Sequence, residues 1–124
     1  MPEQNGALKV ALAALDAAGG VLSLANPEGV DLIVERLIVD VTIKSTAACT
    51  VDAGIAANGT TLNDTLIDGL DVGTAVILAD NIENQGTNGV SAKKWTTSQF
   101  LTISKATGAA AGLVGSAYIE YVRA

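Results

Sequence analysis

The sequence predicts an all-β fold, a single-domain antiparallel β-sandwich of jelly-roll-like order. Three observations carry that expectation. Stretches dense in Val and Ile recur along the chain, as in DLIVERLIVDVT (31–42), FLTISK (100–105) and AYIEYVR (117–123), and β-branched side chains prefer extended backbone. Gly and Asn punctuate those stretches, so five to eight short strands follow one another without alternation of strand and helix. The 124 residues contain no internal repeat and no linker, which fits one domain with one core. Two packed antiparallel sheets satisfy all three.

Taken in order, residues 1–20 form an N-terminal arm or first strand, and residues 21–124 the sandwich domain. Leu8–Ala14 and Val21–Ala25 read as two strands split by Gly19-Gly20, although the Ala-rich stretch Ala7–Ala18 also suits a helix. Residues 31–43 form a long strand with apolar residues on both parities, which places it in the middle of a sheet. Residues 47–57 follow as a strand in which Cys49, Val51, Ala53 and Ile55 share one face. With Lys44–Thr46 as the turn, 31–43 and 47–57 are expected to form an antiparallel hairpin. Asn58-Gly59 marks a tight turn, because both residues tolerate positive φ. In residues 60–75 the apolar spacing Leu62, Leu66, Ile67, Leu70 is helical but broken by Gly69 and Gly73, so a short helical turn or ordered loop is expected. Val76–Leu78 reads as a brief strand and Asp80–Gly89 as an exposed loop. A strand pattern resumes at Trp95 and continues through Phe100–Lys105. Ala106–Gly115 reads as a flexible connection, and Ala117–Arg123 as a closing strand.

Composition narrows function. Apolar residues make up 49% and charged residues 16%, against a usual charged share of about 25%, which excludes disorder. Aromatics are 3%: Trp95, Phe100, Tyr118 and Tyr121. There is no histidine, and Cys49 is the only cysteine. Ser-His-Asp and Cys-His catalysis, Cys/His zinc sites and intrachain disulfides are therefore excluded. The formal net charge of −6 opposes both phosphate backbones and anionic membrane surfaces, so neither nucleic acid nor membrane is an expected partner. The bases are scattered, and Lys93-Lys94 reads as a solvated loop end. The Ala7–Ala18 stretch is interrupted by Lys9 and Asp16 and too short to span a bilayer, and Glu3 precedes any Lys, unlike a signal peptide. The chain is expected to stay in the cytoplasm that makes it or to leave inside a particle.

Three constellations invite a chemical reading. Asp64, Asp68 and Asp71, with Asp80 and Glu83, supply the carboxylates that calcium prefers, but the D-x-D-x-D-G loop is absent and the bland reading is an acidic, solubilising loop. Glu35 and Glu120 sit within apolar strands, where a carboxylate pair of a glycosidase would need one acid in an apolar pocket. The alternatives are that they point outwards or pair with Arg36 or Arg123. Cys49 lacks the electropositive setting of a reactive thiol and reads as a small buried hydrophobe. No phosphate-cradling glycine loop is present. The expectation is no enzyme, no cofactor and no metal, with Asp64, Asp68 and Asp71 as the metal candidates.

Three segments resemble small structural proteins encoded beside capsid genes in tailed bacteriophages and prophages: NPEGVDLIVERLIVDVT (26–42), DTLIDGLDVGTA (64–75) and ATGAAAGLVGSAYIEYVR (106–123). The resemblance covers the chain from about Val21 onwards. It implies a jelly-roll-like virion protein, made in the bacterial cytoplasm, that decorates or cements a phage head as a symmetric oligomer, often a homotrimer, with the major capsid protein as partner. In such proteins an N-terminal arm contacts the shell, a role that MPEQNGALK would suit. A cement protein must be soluble, rigid and multivalent and needs no catalytic group. The alternatives are a calcium- or carbohydrate-binding β-sandwich module and a tail or fibre-base component of the same virion.

Overall fold

The computed structural model describes residues 4–13 and 20–124. Nine strands run through them: β1 (Asn5–Leu12), β2 (Gly20–Ala25), β3 (Leu32–Ile43), β4 (Cys49–Ala56), β5 (Ile67–Asp71), β6 (Ile77–Asp80), β7 (Lys93–Trp95), β8 (Phe100–Gly108) and β9 (Val114–Arg123). No helix occurs among the described residues. Residues 1–3 of the expected arm, and residues 14–19 of the expected strand or helix, lie outside them.

The strands form two antiparallel sheets. One has the order β1-β9-β3-β6, with β7 pairing the other end of β3; the second has the order β2-β8-β4-β5. The pairing obeys a simple rule once β7 is set aside. β1 pairs with β9, β2 with β8, β3 with β6 and β4 with β5. First meets last and each half of the chain runs back along the other, as one long antiparallel ribbon. Rolling that ribbon brings β3 beside β9 and β4 beside β8, and the result is the jelly roll. The fold class expected from sequence is therefore the one observed.

Between the sheets lies a core of Val, Leu, Ile and Ala. β3 contributes Leu32, Val34, Leu37, Val39 and Val41, β9 contributes Ala117, Ile119 and Tyr121, and Val51, Ala53, Ile55, Leu101 and Ile103 face them from β4 and β8. Trp95 is completely buried, and its Nε1–H donates to the Gln99 carbonyl at 3.0 Å. The two-sided apolar pattern of β3 has a local cause. A bulge between Val34 and Arg36 shifts the inward parity from 32 and 34 to 37, 39 and 41. β3 is nonetheless central, flanked by β9 on one side and by β6 and β7 on the other.

Some sequence expectations change. The hairpin of 31–43 with 47–57 does not form, because β3 and β4 lie in different sheets. Lys44–Ala48 instead crosses from one sheet to the other. There Ser45 is completely buried, its N–H donating to the Val72 carbonyl at 3.0 Å and its Oγ–H to the Ala47 carbonyl at 2.7 Å. The region 60–75 holds a strand, β5, rather than a helical turn: Leu66, Ile67 and Leu70 reach the core from a loop and a short strand, with Gly69 at φ 80°. The connection expected to be flexible across Ala106–Gly115 shrinks to residues 109–113, since β8 runs to Gly108 and β9 starts at Val114. That turn is anchored by buried Ala110 and Leu113. Lys94 is on β7 and pairs with Asp31 at 3.6 Å rather than ending a loop.

Candidate functional site

The carboxylates gather on the outer side of the β2-β8-β4-β5 sheet, and the covering segment 57–66 places them. Asn58 Oδ1 accepts from Thr60 N–H at 3.1 Å and from the Thr61 hydroxyl at 2.6 Å, which folds the chain back over the sheet. The turn at Asn58-Gly59 thus rests on a side-chain acceptor rather than on a positive φ. Gly59 is needed for another reason, since a Cβ there would press on Ser23 Oγ at 2.7 Å. Further along, Thr102 donates its hydroxyl to the Thr61 carbonyl at 3.0 Å, and Leu66 N–H donates to the Ala53 carbonyl at 2.9 Å. Gly54 lies directly beneath. Any Cβ at this position would collide with Asn63 Oδ1 and Thr65 Oγ1.

Under this cover Asp52, Asp64 and Asp68 bring one oxygen each within 4.8 Å of one another. Asp52 comes from the outer face of β4 and is buried. One of its oxygens accepts Gly69 N–H at 2.8 Å. Asn88 ties the other two together, donating its side-chain amide to Asp64 at 2.9 Å and its backbone N–H to Asp68 at 3.3 Å. Burial pushes the Asp52 carboxyl up, Asp68 and Asp64 push it further, and only the Gly69 N–H opposes them. The cluster gathers three carboxylate oxygens of the kind a divalent cation takes. Calcium takes about six to eight oxygen ligands, and hydrogen bonds already engage these three carboxylates.

Of the three candidates expected from sequence, Asp64 and Asp68 meet here and Asp71 does not. Asp71 caps its own turn, accepting from Gly73 N–H at 2.9 Å, Thr74 N–H at 3.1 Å and the Thr74 hydroxyl at 2.6 Å, bonds that hold its carboxyl below the ordinary range. Asp52 was missed because it sits in a strand next to apolar neighbours, seventeen positions from Gly69, its partner. Asp80 is also occupied. It caps the turn after β6 through the N–H groups of Ile82 and Glu83 at 2.9 and 2.8 Å, pairs with Arg36 at 3.0 Å, and is held below the usual carboxylate range, first by the Glu83 N–H. Glu83 is exposed.

Glu35 and Glu120 do approach one another. Both are exposed and line a shallow depression of about 450 Å³ with Asn5, Gly6, Ala7 and Tyr121 on the outer face of the other sheet. That open setting differs from the apolar pocket a catalytic acid needs. Neither pairs with the adjacent arginine. Arg36 goes to Asp80, and Arg123 goes to Glu28 at 2.9 Å, where Tyr121 also donates its hydroxyl. Those two partners hold Glu28 below its ordinary range, Tyr121 having the larger effect. Cys49 is buried, and desolvation pushes its thiol up, away from thiolate chemistry. In the loop expected to be exposed, Asn81 is completely buried. Its Oδ1 accepts Leu37 N–H at 2.8 Å and its amide donates to the Val90 carbonyl at 3.0 Å, which pins the loop to the bulged strand β3.

One corner of the surface is apolar. Ile43, Val76, Leu78 and Val114 are each about half exposed or more, with Leu78 at 73%. The register joins them at one corner of the β1-β9-β3-β6 sheet, where Ile43 pairs with Val114 and Leu78 with Asp40. Ile33, Ile38, Tyr118 and Val122 continue the outer face of the same sheet, since each alternates with residues buried in the core. The chain matches no protein-family model, no curated protein and no solved structure.

Proposed function

We propose that this chain is a non-enzymatic structural subunit that decorates the outer surface of a tailed-phage head, binding the major capsid protein in symmetric copies. The observation that carries the reading is the open outer face of the β1-β9-β3-β6 sheet. Its Ile33, Ile38, Leu78, Val114, Tyr118 and Val122 are apolar, and no described segment of the chain lies over it. At one corner of that face Ile43, Val76, Leu78 and Val114 stand in solvent, and apolar side chains exposed together on a protein surface mark a contact area. The jelly-roll order and the resemblance of segments 26–42, 64–75 and 106–123 to virion proteins support the same conclusion. Rigidity is supplied by the two-layer core, and repetition over a symmetric shell converts weak individual contacts into durable attachment.

Antibodies raised against the purified chain, used for gold labelling of intact tailed particles from cells that express it, test this directly. Label over the whole head is the expected result. Label confined to the tail or baseplate would move the protein to the tail-component reading, and unlabelled particles would exclude a virion role. Leu78→Asp with Val114→Asp should remove head labelling while leaving the circular-dichroism spectrum unchanged.

A further inference from the structure

We infer that two copies of this chain pair edge to edge through β1, in an antiparallel register centred on Leu8, with Lys9 of each copy reaching Glu120 of the other. The hydrogen-bonding parity of β1 decides which groups are available. Arg123 N–H donates to the Gln4 carbonyl at 2.6 Å, so the even-numbered residues of β1 bond to β9. Ala13 N–H, of the opposite parity, donates away from β9 to the Val21 carbonyl at 3.0 Å. The N–H and C=O groups of Asn5, Ala7, Lys9 and Ala11 therefore point to the edge, where no strand lies beyond them among the described residues; one of them, the Asn5 carbonyl, accepts from the Arg123 guanidinium at 3.0 Å.

This edge differs from the others. β6 has 4 residues and β5 has 5, while β2 is interrupted by a bulge near Gly20. β1 is 8 residues long, pairs with β9 without a register shift, and contains no proline. Such an edge is a template for another strand. Its outward residues Asn5, Ala7 and Ala11 are small, and Lys9 is its one charge.

Two-fold pairing must put odd residues opposite odd residues to exchange hydrogen bonds. A centre at Lys9 would oppose two ammonium groups. A centre at Ala7 pairs fewer residues. A centre at Leu8 sets Ala7 against Lys9 of the other copy and Asn5 against Ala11, and separates the two lysines. In this register Lys9 faces Ala7, and the next residue along that row is Glu120, the partner of Ala7 on β9. Ala7, Glu120 and Glu35 all line the depression on this face. Both glutamates lack an ion-pair partner among the described residues, and Lys9 has only the Tyr118 ring, 5.7 Å from its Nζ. A cation without a carboxylate thus meets a recess lined by two carboxylates without a cation. The sheet becomes continuous across the pair, and the two apolar outer faces lie on the same side.

Sedimentation equilibrium of the intact chain over a dilution series, at low and high salt, tests the pairing. The expected result is a monomer–dimer equilibrium weakened by salt. Lys9→Glu should weaken it by about tenfold or more, and adding Glu120→Lys should restore it. Ala7→Pro should abolish it without loss of the fold, because Ala7 N–H takes no part in the β1–β9 ladder. Protection of the Ala7 and Lys9 amides from hydrogen exchange should rise with concentration in the unmodified chain, a readout independent of any variant. A strict monomer, a trimer, a dimer indifferent to Lys9→Glu and Ala7→Pro, or a double reversal no tighter than the single one would each overturn the inference.

Discussion

The outer faces of the two sheets carry the opposite of what their surroundings demand. On the β2-β8-β4-β5 sheet that face includes Asp52, Gly54, Ala56 and Thr102, small and half of them polar, yet Thr102 is 1% and Asp52 7% exposed. On the β1-β9-β3-β6 sheet it holds Ile33, Ile38, Leu78, Tyr118 and Val122, yet Leu78 is 73% exposed. On the first face Thr102 is buried under segment 57–66, whose Thr61 carbonyl accepts its hydroxyl, and Asp52 is met by the Gly69 N–H; the second face has no such cover among the described residues. Burial here follows complementarity of polar groups, which would be costly to bury unpaired. The apolar face is left for a surface outside the monomer.

The sharpest way to break this contrast is to lift the cover. Gly54→Val places a branched side chain where Asn63 Oδ1 and Thr65 Oγ1 already sit. The expected loss is about 3 kcal/mol, the upper end of overpacking costs, measured as a shift of the guanidinium midpoint. Fast hydrogen exchange at Leu66, whose N–H bonds to the Ala53 carbonyl, would locate the damage in the cover. A loss below about 0.5 kcal/mol, the range of ordinary surface substitutions, would mean that segment 57–66 contributes little. Thr102→Val is a gentler version. It removes the donor to the Thr61 carbonyl at constant shape and should cost about 1 kcal/mol, the net contribution of a typical hydrogen bond.

Much of this architecture was legible in the sequence, and the failures share a cause. β3, β4, β8 and β9 announce themselves through β-branched density; the bounds of β3 and β4 agree closely with the expected segments, while β8 and β9 each reach three residues further into the small-residue stretch 106–115. The pairing of β3 with β4 did not follow, because proximity in sequence predicts hairpins while a rolled ribbon pairs distant strands. β5 was hidden because Leu66, Ile67 and Leu70 straddle a loop and a bulged strand, where neither a period of two nor of 3.6 holds. Asp64 and Asp68 were picked out by type, but Asp52 looked like an interruption in an apolar strand. Its partner, the Gly69 N–H, lies on a different strand, seventeen positions away. Asn81 gave no signal at all, since a buried asparagine and a loop asparagine look alike in sequence.

The carboxylate cluster refines the contrast through pH. Asp52 has a native pKa raised above its ordinary value of 3.8, chiefly by burial. The folded state then binds this proton more tightly than the unfolded chain, so ionised Asp52 costs stability above its native pKa. That cost fades as the pH falls through the native pKa towards the unfolded value. Glu28, Asp71 and Asp80 are lowered and act in reverse, losing their contribution as the pH drops through their native pKa values. Melting temperature should therefore rise slightly on mild acidification from neutral pH and then fall. Asp52→Asn, which keeps an acceptor for Gly69 N–H, should melt a few degrees above the unmodified chain at neutral pH and lose that advantage in acid. An Asp52→Asn chain less stable at pH 7 would mean that the ionised carboxylate is favourable. Calcium should move neither midpoint; a calcium-dependent rise that Asp68→Asn abolishes would make the cluster a metal site.

The smallest expected effect on stability is the most informative about the open face. Leu78 is 73% exposed on a four-residue edge strand, with Asp40 across from it on β3. Its side chain makes little of the core, so Leu78→Asp should change unfolding free energy by no more than about 0.5 kcal/mol, and the nearby Asp40 carboxylate gives the change a slightly unfavourable sign. The same substitution in a buried position, Ile119→Asp for instance, would leave no folded protein. If Leu78→Asp instead lowers the denaturation midpoint as strongly as Thr102→Val does, the corner formed by Ile43, Val76, Leu78 and Val114 is packed within the monomer in solution, and the open face cannot be its contact surface. A negligible change in stability together with loss of particle attachment would separate the two roles that the outer faces play: one holds the monomer together through matched hydrogen bonds, and the other is spared from that task so that it can bind elsewhere.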